Sequence, residues 1–427
     1  MTRIDEMNYS VRSQTGRGRY SVKKKGTYFI CDCKDFQDRM LPCKHIKAVQ
    51  IWSLQKAGIP YGTPEPTVSA QKKTYSQDWP AYDRAQKTEL FMFDRLLSEL
   101  VSNLPDPVPT AATGRPRIRF SEAVFCTVRK VYSTMSCRRS WGFLQRAAKE
   151  ELLSYTPSYA VSSRILNRKD LSLVLHGLIA RSALPLASLE DSFAIDGTGF
   201  RTNTFGSYCQ EKHGPSRRNN WIKAVPISGC YTNIIPVVIV TESDVGEAHL
   251  FSDLLRTAVN LGFKVKEISA DKAYLSRINY TVADELGISA YIPFRSDSSG
   301  HSKGASIWKK MFYRFQEHQE EFEQHYHKRE NVETDFSAIK RTLHETLKSK
   351  NIIAQQNELL CKILAYNIMV NIHEAQKHNL ELHPFGGPTE NDSYAFEDNK
   401  NLIFSDIMKH EYPNNSVRVD SAGRDKL

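Results

Sequence analysis

A membrane helix needs roughly 18 consecutive apolar residues, and no stretch of this 427-residue chain supplies them. Residues 1–20 are polar and lack the apolar core of a secretion signal, so the chain is expected to be cytoplasmic. Cysteine is scarce. Of the eight present, Cys126, Cys137, Cys209, Cys230 and Cys361 have no ligand spacing and read as small buried hydrophobes. Acidic residues are in deficit, 48 against 58 Lys and Arg, which leaves a net charge of +10 and a pI near 9.0. That balance favours a polyanionic partner, although basicity alone fits DNA, RNA or an acidic membrane surface. The surplus is uneven: residues 1–50 hold eleven Lys and Arg against five Asp and Glu.

That basic segment also contains Cys31-Asp-Cys33, nine residues, then Cys43-Lys-His45. Three thiols and one imidazole form a donor set suited to a closed tetrahedral zinc site. Residues 20–30 read as two short strands around a Lys23-Lys24-Lys25-Gly26 turn, and residues 46–54 as the start of a helix. A Cys-x-Cys pair could instead form a disulfide or redox couple, in which His45 would have no role. The pattern resembles the SWIM zinc finger with every ligand position filled. The resemblance implies one structural Zn²⁺ on Cys31, Cys33, Cys43 and His45.

Breaker-rich stretches at 58–66 and 105–116 predict linkers. Between and after them, residues 79–104, 121–132, 140–153, 158–166 and 171–182 carry helical spacing and predict a compact helical region. Residues 156–169 could be a capped helix-turn-helix recognition helix, with Arg164, Arg168 and Lys169 as possible DNA readers. The bland alternative is a solvated basic face. Thr113-Gly114-Arg115-Pro116-Arg117 resembles an AT-hook core, which adds Arg115 and Arg117 as possible minor-groove readers.

Farther along, two aspartates each follow a strand-like run: Asp196 after Phe193-Ala-Ile, and Asp271 after Ile268-Ser-Ala. Around them the pattern alternates. A hairpin at 221–229 and 234–240 turns at Thr232-Asn233, followed by a helix near 249–261, a strand at 265–269, a helix near 277–286 and a strand at 290–294. That order predicts a mixed sheet flanked by helices, a multidomain α/β architecture in which strand ends carry function. Downstream, Tyr326, Arg329, Glu333 and Lys340 fall within an arc of about 60° on one predicted helix, at about 100° per residue. Val332, Phe336, Ile339, Leu343 and Leu347 form an apolar stripe beside them.

Tyr-x2-Arg-x3-Glu-x6-Lys, after Asp271-Lys272-Ala273-Tyr274, resembles the DDE insertion-sequence transposases with an RNase H-like catalytic fold, over residues 190–370. The resemblance implies a catalytic triad of Asp196, Asp271 and Glu333 that holds two Mg²⁺ (or Mn²⁺) ions. It also implies DNA contacts near that site from Tyr326, Arg329, Lys340, Lys272 and Tyr274. The implied partner is double-stranded DNA, as terminal inverted repeats and target, bound by a homodimer in the nucleoid. On this reading the domains are a SWIM-like finger (1–58), a linker (59–75), a helical DNA-binding region (76–186), an RNase H-like catalytic domain (187–375) and a polar, disordered tail (376–427). Two other classes compete: a transposase-derived DNA-binding protein with an idle centre, and an RNase H-like nuclease without strand transfer. Taken singly, an aspartate after a strand is commonly a turn residue, and Arg329 with Glu333 could be an i,i+4 pair on a solvated face.

Overall fold

The computed structural model describes residues 2–5, 7–12, 18–26, 28–39, 43–56, 78–107, 117–202, 221–243, 245–301, 303–378 and 404–411. They fall into two compact units, Met1–Gln77 and Asp78–Leu427. The expected linker at 59–75 and the AT-hook residue Arg115 lie outside the described residues, whereas Arg117 is described and exposed.

The first unit is an antiparallel sheet of β1 (Thr2–Arg3), β2 (Asn8–Arg12), β3 (Arg19–Lys25) and β4 (Tyr28–Cys31) in sequential order. Gly26, at φ +59°, makes the β3–β4 turn in a conformation that costs glycine least. Helices α1 (Lys34–Arg39) and α2 (Lys44–Lys56) follow. Its small core joins Tyr9, Val11, Val22, Phe36, Ile46 and Val49 to Cys31, Cys33 and Cys43.

The second unit opens with α3 (Trp79–Val101), α4 (Phe120–Tyr132), α5 (Cys137–Lys149), α6 (Val161–Leu166) and α7 (Leu171–Ala183). The chain then enters a sheet built from β5 (Ser192–Ile195), β6 (Thr198–Arg201), β7 (Trp221–Gly229), β8 (Val237–Glu242), β9 (Glu267–Ala270) and β10 (Ser289–Tyr291). Strands β5 and β6 lie on one edge of β7 in a continuous register: Ile195 aligns with Ile227, and Thr198 with Ala224. The same register sets Asp196 opposite Pro226, which has no N–H to give to the ladder, and the strand breaks there. Counting β5 and β6 as one interrupted strand, the order is β8, β7, β5/β6, β9, β10, with β9 parallel to β5 and β10 parallel to β9. Helices α8 (Leu250–Asn260), α9 (Arg277–Glu285), α10 (Ser306–Glu317), α11 (Gln319–Tyr326), α12 (Glu330–Leu343) and α13 (Ile352–His378) flank it. This mixed α/β layering is compatible with an RNase H-like domain.

Three expectations change. The packing does not break near residue 186, because α13, buried along nearly all its length, packs on α3, α4, α6 and α7, and one core runs through helices and sheet. The segment expected to be a disordered tail from 376 includes the last turn of α13 and a docked helix, α14 (Ser405–Glu411). Phe404 and Ile407 are fully buried, and Glu411 accepts from the Val240 amide and contacts His176, each at 3.0 Å. Periodicity over so few residues was too short to reveal it. Third, α6 is only six residues long and has no side-chain cap, unlike the capped recognition helix expected. Arg164 and Lys169 are exposed, while Arg168 is engaged by Asp170 and the Phe120 ring.

Asp335, on α12, is fully buried against the hydroxyls of Ser228 and Tyr366. Burial pushes its carboxyl up to about 8, against those two hydrogen bonds, with Glu190 adding to the rise. An unfolded carboxyl ionises near about 4, so the folded chain holds one extra proton between about pH 4 and 8. This contribution is full below pH 4 and lost as pH rises through the folded value, by up to about 1.4 kcal/mol per unit. Asp335→Asn removes that slope: in thermal melts, the variant's Tm minus the wild type's should increase steadily from about pH 5 to pH 8.

Candidate functional site

Strands β5 and β9 are parallel neighbours with Ile195 aligned to Ala270, so Asp196 and Asp271 emerge side by side where each strand ends. The next residues explain why the chain leaves the sheet there. Asp196 meets the ladder break opposite Pro226, and Asp271 precedes a 3₁₀ turn at Lys272–Tyr274. Both carboxylates are half-buried.

Glu333 arrives from α12. The single helix expected to carry Tyr326, Arg329, Glu333 and Lys340 is instead α11, a 3₁₀ turn at His327–Arg329, and α12. Carbonyls near that turn are drawn to the sheet: Ser269 donates to the His325 carbonyl at 2.8 Å, and the Cys230 thiol to that of Lys328 at 3.7 Å. A helix tightens to 3₁₀ where its ladder is diverted in this way. Glu333, in the first turn of α12, also complements the helix dipole.

Arg329 joins the acids. Its Nη1 pairs with Asp196, its Nη2 lies 2.7 Å from Glu333 Oε1, and the Tyr326 ring sits 5.9 Å away. The Arg329 side chain is 18% exposed and its Asp196 arm ties the 3₁₀ turn to the sheet, whereas Glu333 is 59% exposed, so the Arg329–Glu333 arm is an i,i+4 pair at the surface. Burial opposes its charge, but Glu333 and Asp196 outweigh that and raise its pKa. Asp196 is raised by burial first, against the Gly197 amide and Arg329, with Glu247 and Asp271 adding repulsion. A centre of this kind attracts cations, and its oxygen donors are the type that Mg²⁺ or Mn²⁺ takes.

Glu247 escaped the sequence reading. Its carboxylate accepts from the Tyr274 hydroxyl at 2.9 Å, pairs with Lys223 at 2.8 Å, and fills the space beside Gly197. An acid just before a predicted helix reads as an ordinary end residue, and only the neighbouring Gly197 hinted at a close approach. Tyr274 is fully buried in this role, which replaces the DNA contact expected of it. Lys272 is exposed. Lys340 lies apart from the carboxylates, donating to Thr198 Oγ1 at 2.7 Å over the Phe200 ring. Outside Glu333, a pocket of about 400 Å³ along α12 is lined by Arg329, Glu330, Glu333, Thr334, Ser337 and Arg341. Arg341 is a cation that the four-residue spacing did not include.

In the first unit, the donor atoms of Cys31, Cys33, Cys43 and His45 lie within 4.8 Å of one another, and all four residues are buried. His45 Nδ1 is 3.8 Å from both the Cys31 and Cys43 sulfurs. Bond lengths of about 2.3 and 2.0 Å to tetrahedral zinc place a sulfur and a nitrogen about 3.5 Å apart. The cluster fits such an ion.

Residues 188–368 match the family model of the transposase DDE domain. No curated protein and no solved structure matches the chain. The match begins just before β5 and ends within α13, so it encloses Asp196, Glu247, Asp271, Arg329 and Glu333. It supports a DDE transposase, hence an enzyme acting on DNA. No helix among the described residues is long and apolar enough to cross a membrane.

A Cβ at position 197 would lie 2.6 Å from the Glu247 carboxylate, whereas nothing stands within 4 Å of one at Gly246. Because the atoms met are the far end of the Glu247 side chain, Gly197→Ala should act by pushing that carboxylate off Lys223 and Tyr274, a loss of about 0.5–1.5 kcal/mol, and Gly246→Ala should stay near neutral. Paired denaturant melts check this, and equal midpoints for the two variants would contradict the packing.

Proposed function

We propose that the chain is a DNA transposase that binds the terminal inverted repeats of its own insertion sequence and moves it by cut-and-paste, through strand cleavage and then strand transfer. The observation that carries this reading is the convergence of three acids, Asp196, Asp271 and Glu333, within the region that matches the transposase DDE domain. Two Mg²⁺ or Mn²⁺ ions held by these carboxylates would supply stabilisation of the attacking and leaving oxygens of an in-line phosphoryl displacement.

The chain's own residues supply positioning. Arg329 has a planar fork suited to phosphate as well as carboxylate, so it can pass from Asp196 and Glu333 to the scissile strand. Lys272, Lys340, Arg341 and Tyr326 line the approaches and would hold backbone phosphates as point contacts. Glu247, steadied by Lys223 and Tyr274, keeps the field negative around Asp196. In the finger, Cys31, Cys33, Cys43 and His45 would hold one structural Zn²⁺. Two ends cut together call for a homodimer on the DNA.

Asp196→Asn, Asp271→Asn and Glu333→Gln should each reduce cleavage of a labelled repeat end in Mg²⁺ by at least about 10³-fold while leaving duplex affinity within about twofold. Near-wild-type cleavage by any one of them removes that residue from the centre.

For the finger, Cys33→Ser or His45→Ala should release about one zinc per chain and unfold residues 20–54 alone. Elemental analysis together with limited proteolysis reads both effects, and metal-free wild-type protein that keeps this segment protected would refute the zinc assignment.

A further inference from the structure

A second pocket, of about 340 Å³, lies between the helical region and the segment joining α12 to α13. Its walls include Lys130 on α4, Cys137 at the start of α5, Asn167 after α6, and Lys348, Lys350 and Asn351 before α13. The charge is one-sided. Lys130 is 6% exposed, and no hydrogen bond or ion pair reaches its ammonium among the described residues. Its ammonium keeps contact with solvent at the pocket wall, beside Lys348 and near Glu358, so an anion entering the pocket would meet two cations at once. Lys348 donates to the Thr134 carbonyl, and its pKa is lowered by burial first and by Lys130 next. The nearby acid, Glu358, accepts from the Lys348 and Ser349 amides at 3.0 and 2.8 Å. It also partly offsets the crowding of cations at Lys348. Asn167 and Asn351 add amide groups to the rim.

We propose that this pocket binds a backbone phosphate of DNA, at a site separate from the carboxylate centre. The proposal rests on the transposase reading for the identity of the strand. A phosphodiester fits better than a small free anion because the basic surface continues past the pocket: Lys348 and Lys350 are exposed, as are Arg164 on α6 and Lys169 just beyond it. The walls also join the helical region to the chain leaving α12, so one bound strand would contact both. Tethering DNA here gives the helical region a role in holding the substrate that does not require α6 to read bases.

The test uses the full chain, with the Cys137 thiol on the pocket wall as reporter. Alkylation of Cys137, followed by peptide mass spectrometry, is compared for protein alone, with inorganic phosphate, and with a terminal-repeat duplex. The probe set is repeated for Lys130→Gln and for Lys348→Ala/Lys350→Ala, whose exposed positions keep the test usable if the buried substitution impairs folding. We expect the duplex to slow Cys137 labelling at least about fivefold in wild type and less than about twofold in the variants. Their duplex affinity should fall about tenfold, with a salt slope shallower by about 0.9 for the one lost phosphate contact. Unchanged slope and protection in the double variant, while wild-type cleavage proceeds, overturns the pocket and leaves the transposase reading standing. Protection by millimolar phosphate but not by duplex overturns the DNA assignment in favour of a free anion. A wild type that neither binds nor cuts the duplex removes the reading on which the proposal rests.

Discussion

Asn367 lies in the middle of α13, a helix buried along almost its whole length, and the second unit is organised around how that asparagine is satisfied. Its amide nitrogen reaches the carbonyls of Ile179 and Ile235 and the Ser182 hydroxyl, and its oxygen accepts from the Ile235 amide at 3.1 Å. Asn357 does the same one end over, donating to the carbonyls of Leu166 and Arg168 at 2.9 Å. An amide left unpaired at such depth would cost more than most apolar contacts gain. The seating of α13 against α6, α7 and the turn before β8 satisfies both. That seating also brings Tyr366 onto Asp335 and so fixes α12, the helix that carries Glu333.

The carboxylate centre is then a balance of charge at one sheet edge. Asp196 and Asp271 are forced together by the register of two parallel strands, and Glu247 and Glu333 are brought to them by other elements. Four acids so close would repel. Lys223 and Arg329 offset them from two sides, one on β7 and one at the 3₁₀ turn before α12. The same field that makes these lysine and arginine partners necessary makes the centre receptive to divalent cations and to the cationic side of a phosphate clamp. The first unit solves a different problem with the same economy of parts: its few apolar side chains form a core in which three of the members are thiols, so the residues that would hold a metal ion are also residues on which folding depends.

Much of this was legible in the chain itself, for physical reasons. The strand-like runs before Asp196 and Asp271, the 3.6-residue repeats of α3, α4, α7, α8 and α9, and the hairpin turn at Asn233, which adopts φ 65°, are all local preferences written in adjacent residues. The Cys-x-Cys and Cys-x-His pairs are equally local, and they come together as soon as the β4 turn and α2 form. The helical stripe of Arg329, Glu333 and Lys340 was legible as spacing but misleading as geometry. The diversion of two carbonyls to the sheet breaks the helix, and Lys340 is led to Thr198 rather than to the acids.

What the sequence determined by itself was many of the elements, among them α3, α4, α7, α8, α9 and the β7–β8 hairpin, and the short-range donor clusters, because each depends on residues a few positions apart. Tertiary structure alone decided the rest. Glu247 joins Asp196 across a strand, a loop and a ladder break. Tyr274 turns inward and donates its hydroxyl to the half-buried Glu247 carboxylate. Lys130 meets Lys348 and Lys350 across more than two hundred residues of chain. The α14 segment docks because Glu411 finds His176 and the Val240 amide. Such contacts depend on register, packing and the satisfaction of buried polar groups, none of which has a period that a linear pattern could carry.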